Sequence, residues 1–410
     1  MGKIKISHLL SVFLLWTVFF SPSFAGNEPS VEAVNRLAFD IFSSNTGSDR
    51  NIVLSPYSIF TSMALVYEGA RGKTAEEMKG ALHFPQDTGE LKRILSGFRE
   101  KLNKKERQYD LINSSALWAG SAYKLQDGFL SCAKNDYNGD ASNIDFGGDS
   151  DSARSAINGW FETATGRRAK PPASEGLFSK RTKLVLTSAA CLRTDWLHKF
   201  ELKKTKAEYF TLMDGKKNVV DMMHAKMNAY LDTEHWAGTK VLELPFAGNG
   251  LSMLIFLPDN GDTSALEKLF TYDNMENWYQ ALEQARRRPE PVEVSLPKFS
   301  IDSSRLMGGT LSQLGMPSAF TGADLTGMTD GKDPLISQAI HQSYLDVNEE
   351  GTQDADMRAS VFVTLRNMSI SIGKPAEFTA DHPFIFIIRE NATGMILFIG
   401  KVVNPGDSRT

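Results

Sequence analysis

Cysteine is almost missing from this chain: Cys132 and Cys191 are the only two in 410 residues. A disulfide framework therefore does not hold the fold together, and a chain of this length can build a core large enough to manage without one. The two either pair or stay as thiols, and packing favours two small buried hydrophobes. Zinc-ligand spacing is lacking too. His83, His198, His224, His235, His341 and His382 are scattered, with no cysteine pair beside any of them. No Gly-x-Ser-x-Gly elbow occurs, so nothing marks an enzyme and no catalytic residue or metal is assigned. Beyond the N-terminus no apolar run approaches the ~18 residues needed to cross a bilayer. A net charge of −4 lacks the basic excess of a dedicated nucleic-acid binder.

What is present at the start is a leader. Lys3 and Lys5 precede the apolar run from Leu9 to Phe20, and Ser23-Phe24-Ala25 supplies small residues for cleavage. Residues 1–25 read as a secretory signal, so the product is expected to be secreted, extracellular (periplasmic in a bacterium), and free of membrane. Asn113, Asn367 and Asn391 lie in glycosylation sequons, which matter only on a eukaryotic route. Residues 26–410 hold no linker or repeat and read as a single domain; the whole chain is 41% apolar and 23% charged.

Ser30 to Asn45 carries apolar residues at helical spacing. Asn51 to Ile59 reads as a short buried strand feeding a helix, with Ser55 and Pro56 as its start. Gly72-Lys73-Thr74 imitates a phosphate loop, but Tyr67 stands where that loop needs glycine. A helix stop at Gly69 followed by a capping box from Thr74 to Glu77 is the better reading. Lys183 to Trp196 is a long strand. Leu242 to Asp259 is a hairpin turning at Gly248-Asn249-Gly250. Between Leu91 and Asp110 lies a basic run of Lys92, Arg93, Arg99, Lys101, Lys104, Lys105 and Arg107, which ordinarily marks a solvated face.

The most unusual stretch is Val347 to Phe384. It follows a strand-like run (Ser337 to Val347) and precedes the apolar run Phe384 to Ile388, yet has no helical periodicity. Loops longer than about 12–15 residues are uncommon in compact domains and are usually functional or disordered. This one carries Val361, Phe362, Val363, Thr364 and Leu365, the residues of a strand. Left exposed, such a segment invites aggregation, so its retention suggests that it becomes a strand later.

Val347-Asn348-Glu349-Glu350-Gly351-Thr352 followed by Ala380-Asp381-His382-Pro383-Phe384 resembles the hinge, reactive loop and distal anchor of the serpins. The likeness runs in order from about Ser30 to Pro405. It implies an α+β serpin fold: a large central mixed sheet, two further sheets, eight or nine helices and an exposed reactive loop over about 351–378. It also implies a monomer that traps a target serine protease as a covalent acyl complex. The protease cuts the loop, and the freed loop inserts into the central sheet. By resemblance, Ser55, Ser58, Ser188 and His341 form the shutter beneath that sheet, and Trp196 marks the breach at its head. Ser188 stands where the family usually has asparagine, which can both donate and accept. The hinge covers Glu350, Gly351, Thr352, Gln353, Asp354, Ala355, Asp356, Met357 and Arg358. Counted from Gly351, the reactive bond is Leu365-Arg366, suiting a chymotrypsin-like protease. A shift by one gives Arg366-Asn367 for a trypsin-like protease, and counting back from Phe384 gives Ser371-Ile372. No cofactor is implied, although Lys92, Arg93, Arg99, Lys101, Lys104 and Lys105 lie where some serpins bind sulfated polysaccharide.

Strand side chains alternate faces, so insertion starting inward at Thr352 buries Asp354, Asp356, Arg358, Ser360 and Phe362. A one-residue slip would bury Gln353, Ala355, Met357, Ala359, Val361 and Val363 instead. Two functions remain: an inhibitor of a chymotrypsin- or trypsin-like serine protease, or a non-inhibitory serpin in a binding, carrier or chaperone role, its charged hinge preventing insertion.

Overall fold

The computed structural model describes residues 29–45, 47, 49–104, 107–233, 238–286, 290–352 and 375–407. In chain order these form α1 (Pro29–Ser43), β1 (Ile52–Leu54), α2 (Pro56–Gly69), α3 (Gly72–Leu82), α4 (Thr88–Leu102), β2 (Tyr109–Gly120), α5 (Asp127–Asn135), β3 (Asp140–Ile144), α6 (Ser150–Ala164) and β4 (Leu184–Asp195). Then come β5 (Lys206–Thr211), β6 (Lys217–Asp232), β7 (Thr239–Pro245), β8 (Leu251–Pro258), α7 (Thr263–Leu269), α8 (Tyr272–Arg286), β9 (Glu290–Pro297) and β10 (Phe299–Leu306). The chain closes with α9 (Gly308–Gln313), α10 (Ser318–Thr321), β11 (Ile336–Val347), β12 (Gly351–Thr352), β13 (Ala376–Thr379), β14 (Phe384–Glu390) and β15 (Ile396–Val402). Among the described residues there are ten helices, beside an expected eight or nine; α9 and α10 are short.

The mixed sheet has the order β10-β11-β4-β2-β3, with β12 joined to the far end of β4. The second assembly runs β1-β15-β14-β8-β7-β6-β9-β13, with β5 on the edge of β6. It divides near the end of β6, whose residues 217–229 pair with β5 and β9 and whose residues 230–232 pair with β7. Three sheets result, as expected. β8, β14 and β15 are buried on both faces, which explains why their sequences read as unbroken apolar runs rather than alternating ones.

Two apolar clusters sandwich the mixed sheet. Leu184, Leu186, Ala190 and Leu192 of β4 point into the main core. Val185 and Ala189, on the opposite face, pack with Ile157 and Phe161 of α6 and with Ile340 of β11. This central strand is therefore covered on both sides.

The helix start at Ser55 is as expected: its hydroxyl accepts from the Ser58 amide, and Pro56 occupies the first turn. The capping box over Thr74 to Glu77 does not form. α3 begins earlier, at Gly72, and both side chains serve distant backbone instead. Thr74 accepts from the Asp324 amide at 2.9 Å, and Glu77 accepts from the Ser318 amide at 2.8 Å. Cys132 and Cys191 are both free thiols. Among the described residues no helix is long and apolar enough to cross a membrane.

The C-terminal segment is fastened by one side chain. Asn51 Oδ1 accepts from the amides of Val403 (2.8 Å) and Asn404 (3.0 Å), and Nδ2 donates to the carbonyls of Asn404 (2.7 Å) and Asp407 (2.6 Å). Replacing it leaves buried backbone groups unpaired, so Asn51→Ala is expected to lower the unfolding free energy by about 2–4 kcal/mol, read from the urea midpoint.

Candidate functional site

Strands β11 and β4 run parallel, paired in one register from Gln338–Val185 to Tyr344–Cys191 after an irregularity next to Ile336–Leu184. Such a pair is slightly less stable per residue than an antiparallel one. Beyond Cys191 the two part company. There β12 pairs antiparallel with β4, Gly351 opposite Asp195 and Thr352 opposite Thr194. The first two residues of the ribbon that leaves β11 thus already lie along β4 at the head of the seam. Thr352 is 1% exposed, which is the inward orientation expected of it.

The turn that makes this possible is a compact polar knot. The Asn348 amide donates to the Gly351 carbonyl (2.9 Å), and Asn348 Oδ1 accepts from the Glu350 amide (3.0 Å). Gly351 has φ +151°, and a Cβ there would collide with the Thr194 carbonyl and lie 2.8 Å from Asp195 Cα. Only glycine fits. Trp196 holds the knot from below: its indole donates to the Asn348 carbonyl (2.9 Å), its amide to the Glu350 carbonyl (2.7 Å), and its ring stacks on Phe246 at 4.6 Å. Lys199 bridges Glu350 (2.5 Å) and Asp195 (2.9 Å). Glu349 is nearly buried; burial raises its pKa, but the bonds from Thr205 (2.8 Å) and Lys298 (3.1 Å) outweigh this and hold it below the usual range.

Farther down the seam, His341 is fully buried and faces Ser188 across the β11–β4 register. The Ser55 amide donates to Nε2 at 3.1 Å, so that nitrogen carries the lone pair. Nδ1–H therefore donates to Ser188 Oγ at 2.9 Å. Ser343 Oγ also lies 2.7 Å from Nε2. Serine at 188 thus reaches the histidine despite lacking an amide. Ser58 joins through its amide alone, and its buried hydroxyl has no partner. Burial pushes the His341 imidazole down to about 3.

Of the expected site residues, the structure brings together Trp196, Glu350, Gly351 and Thr352 in one knot, and Ser55, Ser58, Ser188 and His341 in another. Gln353, Asp354, Ala355, Asp356, Met357, Arg358, Leu365 and Arg366 lie outside the described residues, as do residues 1–25 and Lys105. In the basic run, Lys92 is bound to Glu68 (3.0 Å) and Asp136 (3.3 Å), while Arg99 reaches the Asp136 carbonyl. Arg93, Lys101 and Lys104 are exposed. Lys199, Thr205, Lys298 and Ser343 were missed. Ser343 was legible, two residues along the strand from His341; the other three act over more than forty residues and leave no local signal.

The family comparison settles what this arrangement belongs to. The sequence model described as "Serpin (serine protease inhibitor)" matches residues 32–405. The chain belongs to the serpin family. A serpin-like protein of Thermococcus kodakarensis is 36% identical over 386 residues, covering 93% of this chain and 87% of the relative. The human leukocyte elastase inhibitor is 33% identical over 388 residues, covering 91% of this chain and 98% of its own. Among solved structures, a highly specific serpin of the insect Tenebrio molitor superposes with TM-score 0.78 at 28% identity, covering 92% of this chain and 98% of its own. Uncleaved ovalbumin does so with TM-score 0.80 at 26% identity, covering 91% and 99%. In the serpin's mixed sheet the described ribbon residues are only begun as a strand; β11 and β4 still pair with each other below them.

Two outcomes test this site. Because native His341 stays neutral to about 3 while the unfolded side chain protonates near 6.5, the unfolded state holds the extra proton between those values. This contribution is therefore complete above pH 6.5 and shrinks as pH falls, by up to about 1.4 kcal/mol per unit. His341→Gln should flatten urea midpoints plotted from pH 4 to pH 8. Gly351→Ala should destabilise by about 1–3 kcal/mol and free Trp196, seen as a red shift in its fluorescence.

Proposed function

We propose that this serpin is a secreted suicide-substrate inhibitor of a chymotrypsin- or trypsin-like serine protease, working as a monomer. The observation that carries the reading is the position of Gly351 and Thr352, antiparallel to β4 at the head of a parallel seam. A strand entering there replaces one parallel pairing with two antiparallel ones and gains net hydrogen bonds of roughly 0.5–1.5 kcal/mol each. The chemistry belongs to the protease, whose nucleophile attacks Leu365-Arg366 or a neighbouring bond. The inhibitor's part is to supply the bait and then withdraw it before the acyl-enzyme hydrolyses. The elastase-inhibitor relative supports this class of activity, and the leader pattern supports secretion.

A second reading has its own observation. Continued without a bulge, the pairing of Gly351 with Asp195 would set Asp354 opposite Leu192, Asp356 opposite Ala190 and Arg358 opposite Ser188. That face of β4 is the main core. Even if Arg358 pairs with one aspartate, a second carboxylate is left in apolar surroundings at a cost of several kcal/mol. This favours a non-inhibitory serpin that is cut without trapping. The apolar alternate residues do not demand a slipped register, because Ala355, Met357 and Val361 would meet the α6 face, which is also buried.

Mixing the protein with trypsin and with chymotrypsin and running a denaturing gel separates the readings. Inhibition gives an SDS-stable complex and a cleaved form that melts well above the intact one. Clean cleavage with no gain in melting temperature refutes the trap. In that event, a triple variant with Asp354→Ala, Asp356→Ala and Arg358→Ala should recover trapping if hinge charge is the cause.

A further inference from the structure

Seven large apolar side chains are exposed among the described residues, and five of them fall between 197 and 219: Leu197, Leu202, Tyr209, Met213 and Val219. Tyr209 and Val219 are direct cross-strand partners on β5 and β6, 64% and 65% exposed, and Lys217 Nζ lies 5.9 Å from the tyrosine ring. An exposed aromatic–aliphatic pair on the outermost hairpin of a sheet contributes little to the fold's own core.

The same segment is bonded to both ends of the ribbon. On the near side, the Trp196 and Phe200 amides donate to the carbonyls of Glu350 and Glu349, and the Thr205 hydroxyl donates to the Glu349 carboxylate. On the far side, the Thr211 amide donates to the Asp381 carbonyl at 2.7 Å, just past β13. Both described flanks of the ribbon are thus tied to the segment that carries this hairpin. A second copy is a poor fit, because lysines opposing strand-to-strand pairing line the edge: Lys206 and Lys217 are exposed beside Lys203, Lys204 and Lys216, which pair with Glu201 and Asp214.

We propose that the β5–β6 hairpin, centred on Tyr209 and Val219 and flanked by Lys206 and Lys217, is an accessory docking surface for the protease that cuts the ribbon. It fits a partner presenting an apolar patch rimmed by carboxylates. Tyrosine suits such a centre, since it buries a large rigid area at small entropic cost. The flanking lysines act chiefly on the association rate and make it salt-dependent. This inference rests on the ribbon being a protease substrate, but not on the trap succeeding.

The experiment compares the wild type with Tyr209→Ala/Val219→Ser as substrates of trypsin, chymotrypsin and pancreatic elastase, reading kcat/KM for ribbon cleavage. A free peptide spanning residues 352–375 is the control. For the enzyme that cuts the wild type fastest, cleavage of the variant should slow by roughly tenfold, the loss expected on truncating a central interface tyrosine. The melting temperature should not change, and the free peptide, which lacks the hairpin, sets each enzyme's rate without docking. Unchanged rates with all three enzymes overturn the proposal, and so does a wild-type ribbon that none of them cuts. Slower cleavage without any SDS-stable complex upholds the docking surface while refuting the inhibitor reading. A wild-type dimer in sedimentation that the substitutions disperse assigns the surface to a second copy and overturns the proposal.

Discussion

Strands β4 and β11 lie side by side and parallel, yet the chain leaving β11 turns back at Asn348–Gly351 and begins a strand of opposite direction between them. The seam is closed below and wedged at the top. That geometry can persist only because the turn is over-determined: a glycine where no side chain fits, an indole donating from below, and carboxylates neutralised by Lys199 and Lys298. Each partner removed lets the wedge move, inward or out. The rest of the molecule supplies rigid surroundings in which that one degree of freedom can matter.

Beneath the wedge, the strand neighbours divide into two sets with opposite demands. His341, Ser188, Ser343 and the Ser55 amide form a polar chain that ties β11, β4 and the start of α2 together. Parting β4 from β11 breaks the Ser188 link while leaving Ser343 and Ser55 on the histidine. An asparagine at 188 would offer both a donor and an acceptor; a serine offers a smaller, rotatable hydroxyl. Across the seam, Ser188 holds the histidine through a single contact, Oγ to Nδ1 at 2.9 Å. On the proposed insertion, the charges of Asp354, Asp356 and Arg358 would make filling costly.

Much of this was legible beforehand, for reasons that differ by element. β11 announced itself by alternation and α2 by Ser55-Pro56; the strand formers at 361–365 lie outside the described residues. β4 was legible as a strand, but its burial on both faces was not, and so the apolar alternate residues of the ribbon suggested a register slip. The α6 helix, about thirty residues earlier, is what makes that second face dry. The capping box failed for a related reason: Thr74 and Glu77 had the right spacing, but amides some 240–250 residues away compete for them more effectively. Local chemistry is readable when the partner is local. Where a titratable or hydroxyl group is claimed from across the chain, as with Lys199, Lys298 and Thr205 in the knot, spacing carries no trace of it.

The seam's readiness to accept a strand can be tested without any protease. A synthetic peptide spanning residues 352–363, with alanine at 354, 356 and 358, is incubated with the intact protein, and the mixture is melted after gel filtration. If the interval between β4 and β11 is a strand site, the peptide co-elutes with the protein and raises its melting temperature. A peptide that is not retained, or is retained without raising the melting temperature, contradicts the account.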